Sequence, residues 1–172
     1  EIKFYTGRVS GAISKDAPRK QQIYIKALET HSLIKIHYGD FKIRDKSVKL
    51  KEPLEFKPQP KKIEKPLPRF ATAVVPEEKG SDVKLGVHLV RDGFQKKYQR
   101  AVVITNDVDL AEPLKIVKEE LSLEVILLKP QRQPLDTLDN NASSIIYLKL
   151  DDLKNSQFPE KMGGIERPKD WR

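Results

Sequence analysis

The 172-residue chain has no cysteine, one methionine, one tryptophan and few aromatic residues. Without cysteine there is no disulfide framework, no thiolate metal site and no cysteine nucleophile, which fits a reducing, cytoplasmic setting. Long apolar runs are missing too. The longest, such as Ala101 to Ile104 and Val125 to Leu128, reach three to four residues, against the roughly 18 that a membrane span needs. A soluble protein with no membrane partner is expected. No basic-then-apolar leader is present, and Glu1 is followed at once by the strand-like Ile2-Lys3-Phe4-Tyr5-Thr6, so the chain is expected to begin in mid-fold. No G-x-G-x-x-G follows a strand, and Ser10, Ser81 and Ser156 lack a nucleophile elbow, which disfavours a dinucleotide fold and a serine hydrolase. His31, His37 and His88 show no ligand spacing, and His88 reads as a surface or core-edge residue rather than a base.

What is present is charge. Charged residues make up 34% of the chain and hydrophobic residues 38%, which leaves enough apolar material for one modest core in one domain. The net charge is +8. Residues 42–69 hold ten Lys/Arg against four Asp/Glu, and the remainder is nearly neutral. The same stretch carries Pro53, Pro58, Pro60, Pro66 and Pro68, which forbid helix interior and favour extended backbone. It reads as an exposed excursion. Lys57, Lys61, Lys62 and Lys65 could draw a phosphate backbone by displacing its counterions, or they could simply solvate a loop. Only Phe56 and Phe70 offer aromatic faces for base stacking.

Periodicity outlines the fold. Ile2 to Thr6 is a strand; Asp16 as N-cap and Pro18 in the first turn open a helix to about Thr30. Leu33 to Ile43 alternates with period two but changes phase after Gly39-Asp40, which predicts a bulge or a hairpin there. Phe70 to Val75 is a short strand candidate. Ser81 is expected to cap a helix from Asp82 to about Tyr98, whose apolar face is Val83, Val87, Val90, Phe94 and Tyr98. Ala101 to Thr105 is mostly β-branched and apolar, as in a parallel strand buried on both faces. Leu110, Leu114, Val117 and Leu121 mark a further helix, Leu123 to Leu128 another buried strand, and Ser144 to Leu148 a last one. Helix, strand, helix, strand is a βαβ pattern and predicts an α/β fold. From Phe158 to Arg172 an extended tail is expected, with Trp171 anchoring it over apolar surface.

Asn106-Asp107-Val108-Asp109 lies where a predicted parallel strand ends, and ligands of open α/β sheets bind in the crevice at that end. Asp82, at the start of the preceding helix, is expected at the same end. Three carboxylates gathered without His or Cys suit Mg²⁺ or Mn²⁺, hard cations that keep waters for phosphate oxygens. Local structural roles compete with this reading. Asp109 and Glu112 form a D-x-x-E capping pattern followed by Pro113, and Asp82 is favourable in a helix first turn. Asp107 has no such local role in the pattern.

The segment Glu78-Lys79-Gly80-Ser81-Asp82-Val83 with its helix, followed by Ala101-Val102-Val103-Ile104-Thr105-Asn106-Asp107-Val108-Asp109-Leu110, resembles the NYN domain family of the PIN-like ribonuclease superfamily, of the bacterial LabA-like type. Phe4 to Ser10, Pro18 to Tyr24 and Ser156 to Trp171 extend the resemblance over most of the chain outside residues 42–69. It implies a Rossmann-like, PIN-type three-layer fold with a mainly parallel sheet over residues 1–150. Residues 151–172 would be a C-terminal extension packing on it. It also implies endonucleolytic cleavage of RNA with Mg²⁺ or Mn²⁺ held by Asp82, Asp107 and Asp109, and Lys79, Arg8 and Lys20 as phosphate contacts. A homo-oligomer is compatible with it. Two departures stand out. The family's opening strand bears an Asp in an Asp-Gly-x-Asn type motif that nothing here matches, since Arg91-Asp92-Gly93-Phe94 falls within a helix, so a first strand and helix are expected upstream. Val108 also stands where a small hydroxyl residue is usual. If the metal site is eroded, the same fold serves as an RNA-binding or protein-interaction module.

Overall fold

A computed structural model of the chain describes residues 1–11, 15–51, 55, 57, 62, 66, 69–132, 135–169 and 171. Strand β1 (Ile2–Gly7) leads through helix α1 (Ala17–Glu29) to β2 (Ile34–Lys49), which lies parallel to it. Pro18 sits in the first turn of α1, where its missing N–H costs no bond. Asp16 holds the N-cap position but makes no side-chain capping bond. The phase change at Gly39-Asp40 is neither a bulge nor a hairpin. β2 runs straight through it and exchanges partners: Ile34 to Gly39 pair with β1, and Asp40 to Lys49 pair antiparallel with β3 (Phe70–Lys79). Gly39 is required there because a Cβ would stand 2.8 Å from the Lys79 carbonyl and run into Glu78 and Ser81. The first eight residues of the basic stretch are therefore strand.

Helix α2 (Ser81–Phe94) carries the chain to an all-parallel sheet of β4 (Arg100–Ile104), β5 (Glu124–Lys129) and β6 (Ser144–Tyr147), in that spatial order. Between β4 and β5 the expected single helix is a 3₁₀ turn (Val108–Leu110), then α3 (Ala111–Lys115), then a π turn (Ile116–Glu120). The change of winding still buries Leu110, Leu114 and Val117. Helix α4 (Asp136–Asp139) precedes β6, and α5 (Leu150–Asn155) follows it. The chain closes with a small hairpin of β7 (Lys161–Met162) and β8 (Ile165–Glu166), turned by Gly163 and Gly164 at positive φ. Tyr24 of α1 meets Phe4 edge-on at 6.0 Å, with Phe158 and Trp171 at 6.0 and 6.5 Å between ring centres, so aromatic rings tie the C-terminal segment to α1. The architecture is thus mixed α/β, with one all-parallel and one mixed three-stranded sheet. Among the described residues no helix is long and apolar enough to cross a membrane.

The main core lies on one face of the parallel sheet. Val103, Val125 and Leu127 pack with Leu110, Leu114, Val117, Leu138 and Ala142, joined by Leu85 and Leu89 of α2. Small residues bring α2 close: a Cβ on Gly86 would meet Pro113 at 2.9 Å, and one on Gly93 would meet Leu121 at 2.8 Å. Two expectations fail here. The stripe Val83, Val87 and Phe94 is solvent-exposed, because Leu85, Gly86, Leu89 and Gly93 form the face that α2 buries; α2 also ends at Phe94 rather than near Tyr98. Likewise β4 is buried on one face only, since Val102 and Ile104 alternate with Val103 and remain exposed, as does Ile146 of β6.

This one-sided burial has a measurable consequence. Val103→Ala should cost about 2 kcal/mol in denaturant unfolding, whereas Val102→Ala should stay within about 0.5 kcal/mol of wild type. Equal losses would mean that both faces of β4 are packed.

Candidate functional site

Glycine sets the entry to α2. Gly80, the N-cap residue, is left-handed at φ 89°, and the Glu78 carboxylate takes over the capping role by accepting the Ser81 hydroxyl at 2.6 Å and the Ser81 amide at 3.3 Å. Ser81 is therefore a buried first-turn residue and not the cap. The next residue, Asp82, is exposed at the helix start. At the end of β4, the Thr105 hydroxyl oxygen accepts the Asp107 amide at 2.9 Å, and Asp107 Oδ1 accepts the Asp109 amide at 3.0 Å. The local capping role thus falls to Asp107, which closes the 3₁₀ turn, and not to Asp109, which stands exposed within it.

Burial and the neighbouring charges of Asp107, Glu78 and Asp109 together push the Asp82 carboxyl above its ordinary value. These acids share one electrostatic neighbourhood. Asp82 and Asp109 line the same groove of about 700 Å³, with Glu78, Lys79 and Gly80 at one end and Val83, Val87, Val90, Leu110 and Pro113 along it. Among the described residues, no three His, Asp or Glu side chains converge closely enough to hold a metal by themselves. The donor set is nonetheless all oxygen, and Asn106 Oδ1, next to Asp107, is buried without a hydrogen-bond partner. Such a set suits a hard cation bound through one or two carboxylates and several waters.

The cationic candidates are scattered. Lys79 lines the groove and pairs with Glu77 at 3.2 Å. Arg8 follows β1 and lies over the Tyr38 ring at 4.4 Å, while Lys20 is partly buried on α1. Lys57 and Lys62 are exposed in the connection between β2 and β3, and Lys61 and Lys65 lie outside the described residues.

The sequence reading missed the polar seam between α2 and β1–β2. Asp92 is 5% exposed. Burial alone would raise its carboxyl, but Lys3 and Arg91 hold it well below the usual carboxylate range, and Lys97 lies at 3.5 Å. Beside it, Tyr5 stacks on His37, the Tyr5 hydroxyl is 3.0 Å from His88 Nδ1, and the two imidazoles meet edge to face at 4.6 Å. Burial lowers both histidines, with Lys3 adding to the effect on His37 and His37 adding to that on His88. The signal was the i, i+4 pair His88 and Asp92 on α2 opposite the alternating Lys3 and Tyr5 of β1. A second buried pair, Lys129 with Asp139 at 2.7 Å, sits at the end of β5.

Two acids on one helix should therefore behave oppositely. Asp82→Asn removes a charge that its surroundings disfavour and should leave the metal-free melting temperature at neutral pH unchanged or higher. Asp92→Asn, which weakens a buried charge cluster, should lower it by several degrees. A matching loss in both variants would refute the assignment. The histidines set a second expectation. Their folded values are lowered, so the unfolded chain takes up protons first, and stability present above about pH 6.5 should fall as the pH drops below it. His88→Gln should flatten that fall between pH 7 and 5. An unchanged slope in thermal melts would show that the pair does not govern it.

No family model matches the chain. It is 25% identical over 133 residues to 6-hydroxy-3-succinoylpyridine 3-monooxygenase of Pseudomonas putida; the match takes in 75% of this chain but 41% of that protein. Among solved structures it is similar to a protein of unknown function from Vibrio parahaemolyticus at 12% identity and a TM-score of 0.38, covering 88% of this chain and 95% of the other.

Proposed function

We propose that this chain carries a NYN-type, divalent-metal-dependent endoribonuclease domain. The observation that supports this best is the juxtaposition of Asp82, at the start of α2 and in the same groove as Asp109, with the acidic turn just beyond β4: burial, then the charges of Asp107, Glu78 and Asp109, raise the Asp82 carboxyl. An acid held among other acids is an arrangement that a cation would relieve. When bound, Mg²⁺ or Mn²⁺ would neutralise charge on the phosphoryl oxygens and supply an activated water. The chain's own contributions would be Asp82 and Asp109 as groove-side ligands and Asp107 as a ligand that also fixes the turn. Lys79 at the groove mouth and Arg8 beyond β1 would hold the phosphate backbone of a single-stranded substrate. Lys20 and the lysines between β2 and β3 would extend that track.

The reading treats β1–β2 and β4–β5–β6 as parts of one PIN-type three-layer arrangement, in which a helix would cover the exposed apolar row Val102, Ile104 and Ile146. The second reading is an RNA-binding or interaction module with a lapsed metal site. It is favoured by the lack of three converging carboxylates among the described residues and by Val108 in the acidic turn. The relative's oxygenase activity belongs to a protein of which this chain matches 41%, and none of it is carried over.

In the full-length protein, millimolar Mg²⁺ or Mn²⁺ should raise the melting temperature and support cleavage of single-stranded RNA. Asp107→Asn should abolish both, although asparagine still caps the turn and keeps metal-free stability within about 1 kcal/mol. Salt-sensitive RNA binding without a metal response or cleavage would favour the second reading. Its log–log slope should then lose roughly 0.7 per phosphate contact removed when Lys57, Lys61, Lys62 and Lys65 are neutralised.

A further inference from the structure

Helix α2 presents two apolar stripes, and only one has a partner. Leu85 and Leu89 enter the core, whereas Val83, Val87, Val90 and Phe94 follow the 4, 3, 4 spacing of a single helix face, with Val83, Val87 and Phe94 at 68, 56 and 62% exposure. At 1.5 Å per residue that face is about 16 Å long. It forms one wall of the groove of about 700 Å³, with Leu110 and Pro113 opposite. The groove is polar at its ends and of opposite sign. At the start of α2 lie Glu78, Asp82 and Asp109 with Lys79, a net negative set; at the other end lies Arg91, with Lys96 and Lys97 just beyond the helix. Lys96 turns out at φ 55° and stays exposed. Arg91 and Lys97 share the single carboxylate of Asp92 with Lys3, so that end keeps an excess of positive charge.

We propose that this face is a dimer interface in which α2 of a second copy lies antiparallel along α2. The antiparallel sense follows from charge. It sets the acidic start of each helix against the basic end of the other and opposes the two helix macrodipoles. A parallel pairing would bring like charges together at both ends. With the pairing antiparallel, Val83 of each copy faces Phe94 of the other, and Val87 faces Val90. Each contact therefore occurs twice about a two-fold axis, giving a closed, self-complementary assembly. The apolar stripe leaves water, and each copy's lysines stand at the acids of its mate. In the dimer the mate's lysines stand beside Asp82 and Asp109, so pairing and RNA cleavage at those acids would be alternative states of one groove.

These 172 residues hold no cysteine, so a thiol introduced on α2 is the only one among them. Chains carrying Val87→Cys and chains carrying Val90→Cys are mixed in full-length protein and oxidised mildly. The mixture should form crosslinked dimer at least fivefold faster than either variant alone, because residue 87 meets 90 and not itself. By sedimentation velocity, wild type should self-associate, and Val87→Lys and Lys96→Glu should each raise the dissociation constant at least tenfold with unchanged circular dichroism. A wild-type chain that stays monomeric at about 100 µM, or mixed thiols that crosslink no faster than the single variants, would overturn the proposal. So would loss of RNA binding in Val87→Lys with no change in association state, which would make the stripe a nucleic-acid contact instead.

Discussion

Helix α2 must satisfy two unlike neighbours at once, and the rest of the structure is arranged around that constraint. Toward α3 it offers leucines and glycines, so the backbones approach closely and Pro113 and Leu121 fill the space that side chains would take. Toward β1–β2 it offers His88, Arg91 and Asp92, and the contact is charged and hydrogen-bonded. Because Asp92 is almost fully buried, its charge is tolerable only while Lys3 and Arg91 stay on it. That cluster ties β1 to α2, and α2 in turn is joined to the core of the parallel sheet. The helix is thus the shared element between two sheets that have no strand in common.

The position of Asp82 follows from the same clamp. Glu78 holds the first turn of α2 by accepting from Ser81, and it also crowds Gly39 and Gly7, so the start of the helix is fixed against the ends of β1 and β2. The acidic turn after β4 is fixed by the Asp107 amide donating to the Thr105 hydroxyl oxygen and the Asp109 amide donating to the Asp107 carboxylate. Asp82 is thereby placed near Asp107 and Asp109, with its carboxyl raised by burial and by the charges of Asp107, Glu78 and Asp109. Function-bearing groups often sit in such locally unfavourable arrangements.

Much of this could be read from the chain. The βαβ pattern from α2 to β5, the helix residues Leu110, Leu114 and Val117, and the location of Asp107 at a strand end all follow from periodicity. The failures have physical causes. An apolar stripe shows that a helix has an apolar face but not which surface meets it. On α2 the buried face was hidden because half of it is glycine, which contributes closeness rather than hydrophobicity. The cap was assigned to Ser81 because serine is a favoured N-cap, whereas a carboxylate three residues earlier does the work. Asp109 was given Asp107's role because D-x-x-E is a pattern of α-helices and the turn is 3₁₀. The histidine pair escaped because His37 and His88 are brought together only by packing of α2 on β2.

The exposed apolar residues fall into two sets, and their placement limits what can cover them. Val103 of β4 points to the side where α2 and α3 pack, so by strand alternation Val102 and Ile104 point to the other side, in line with Ile146. All-parallel sheets rarely leave a face bare, since both faces are normally roofed by crossover helices. The face carrying Val102, Ile104 and Ile146 is therefore of the kind that a crossover helix normally covers. The stripe of Val83, Val87 and Phe94 is on α2, which packs against the opposite side of the sheet. A helix over the first surface would leave this stripe exposed, so the two apolar surfaces are covered, if at all, by different elements.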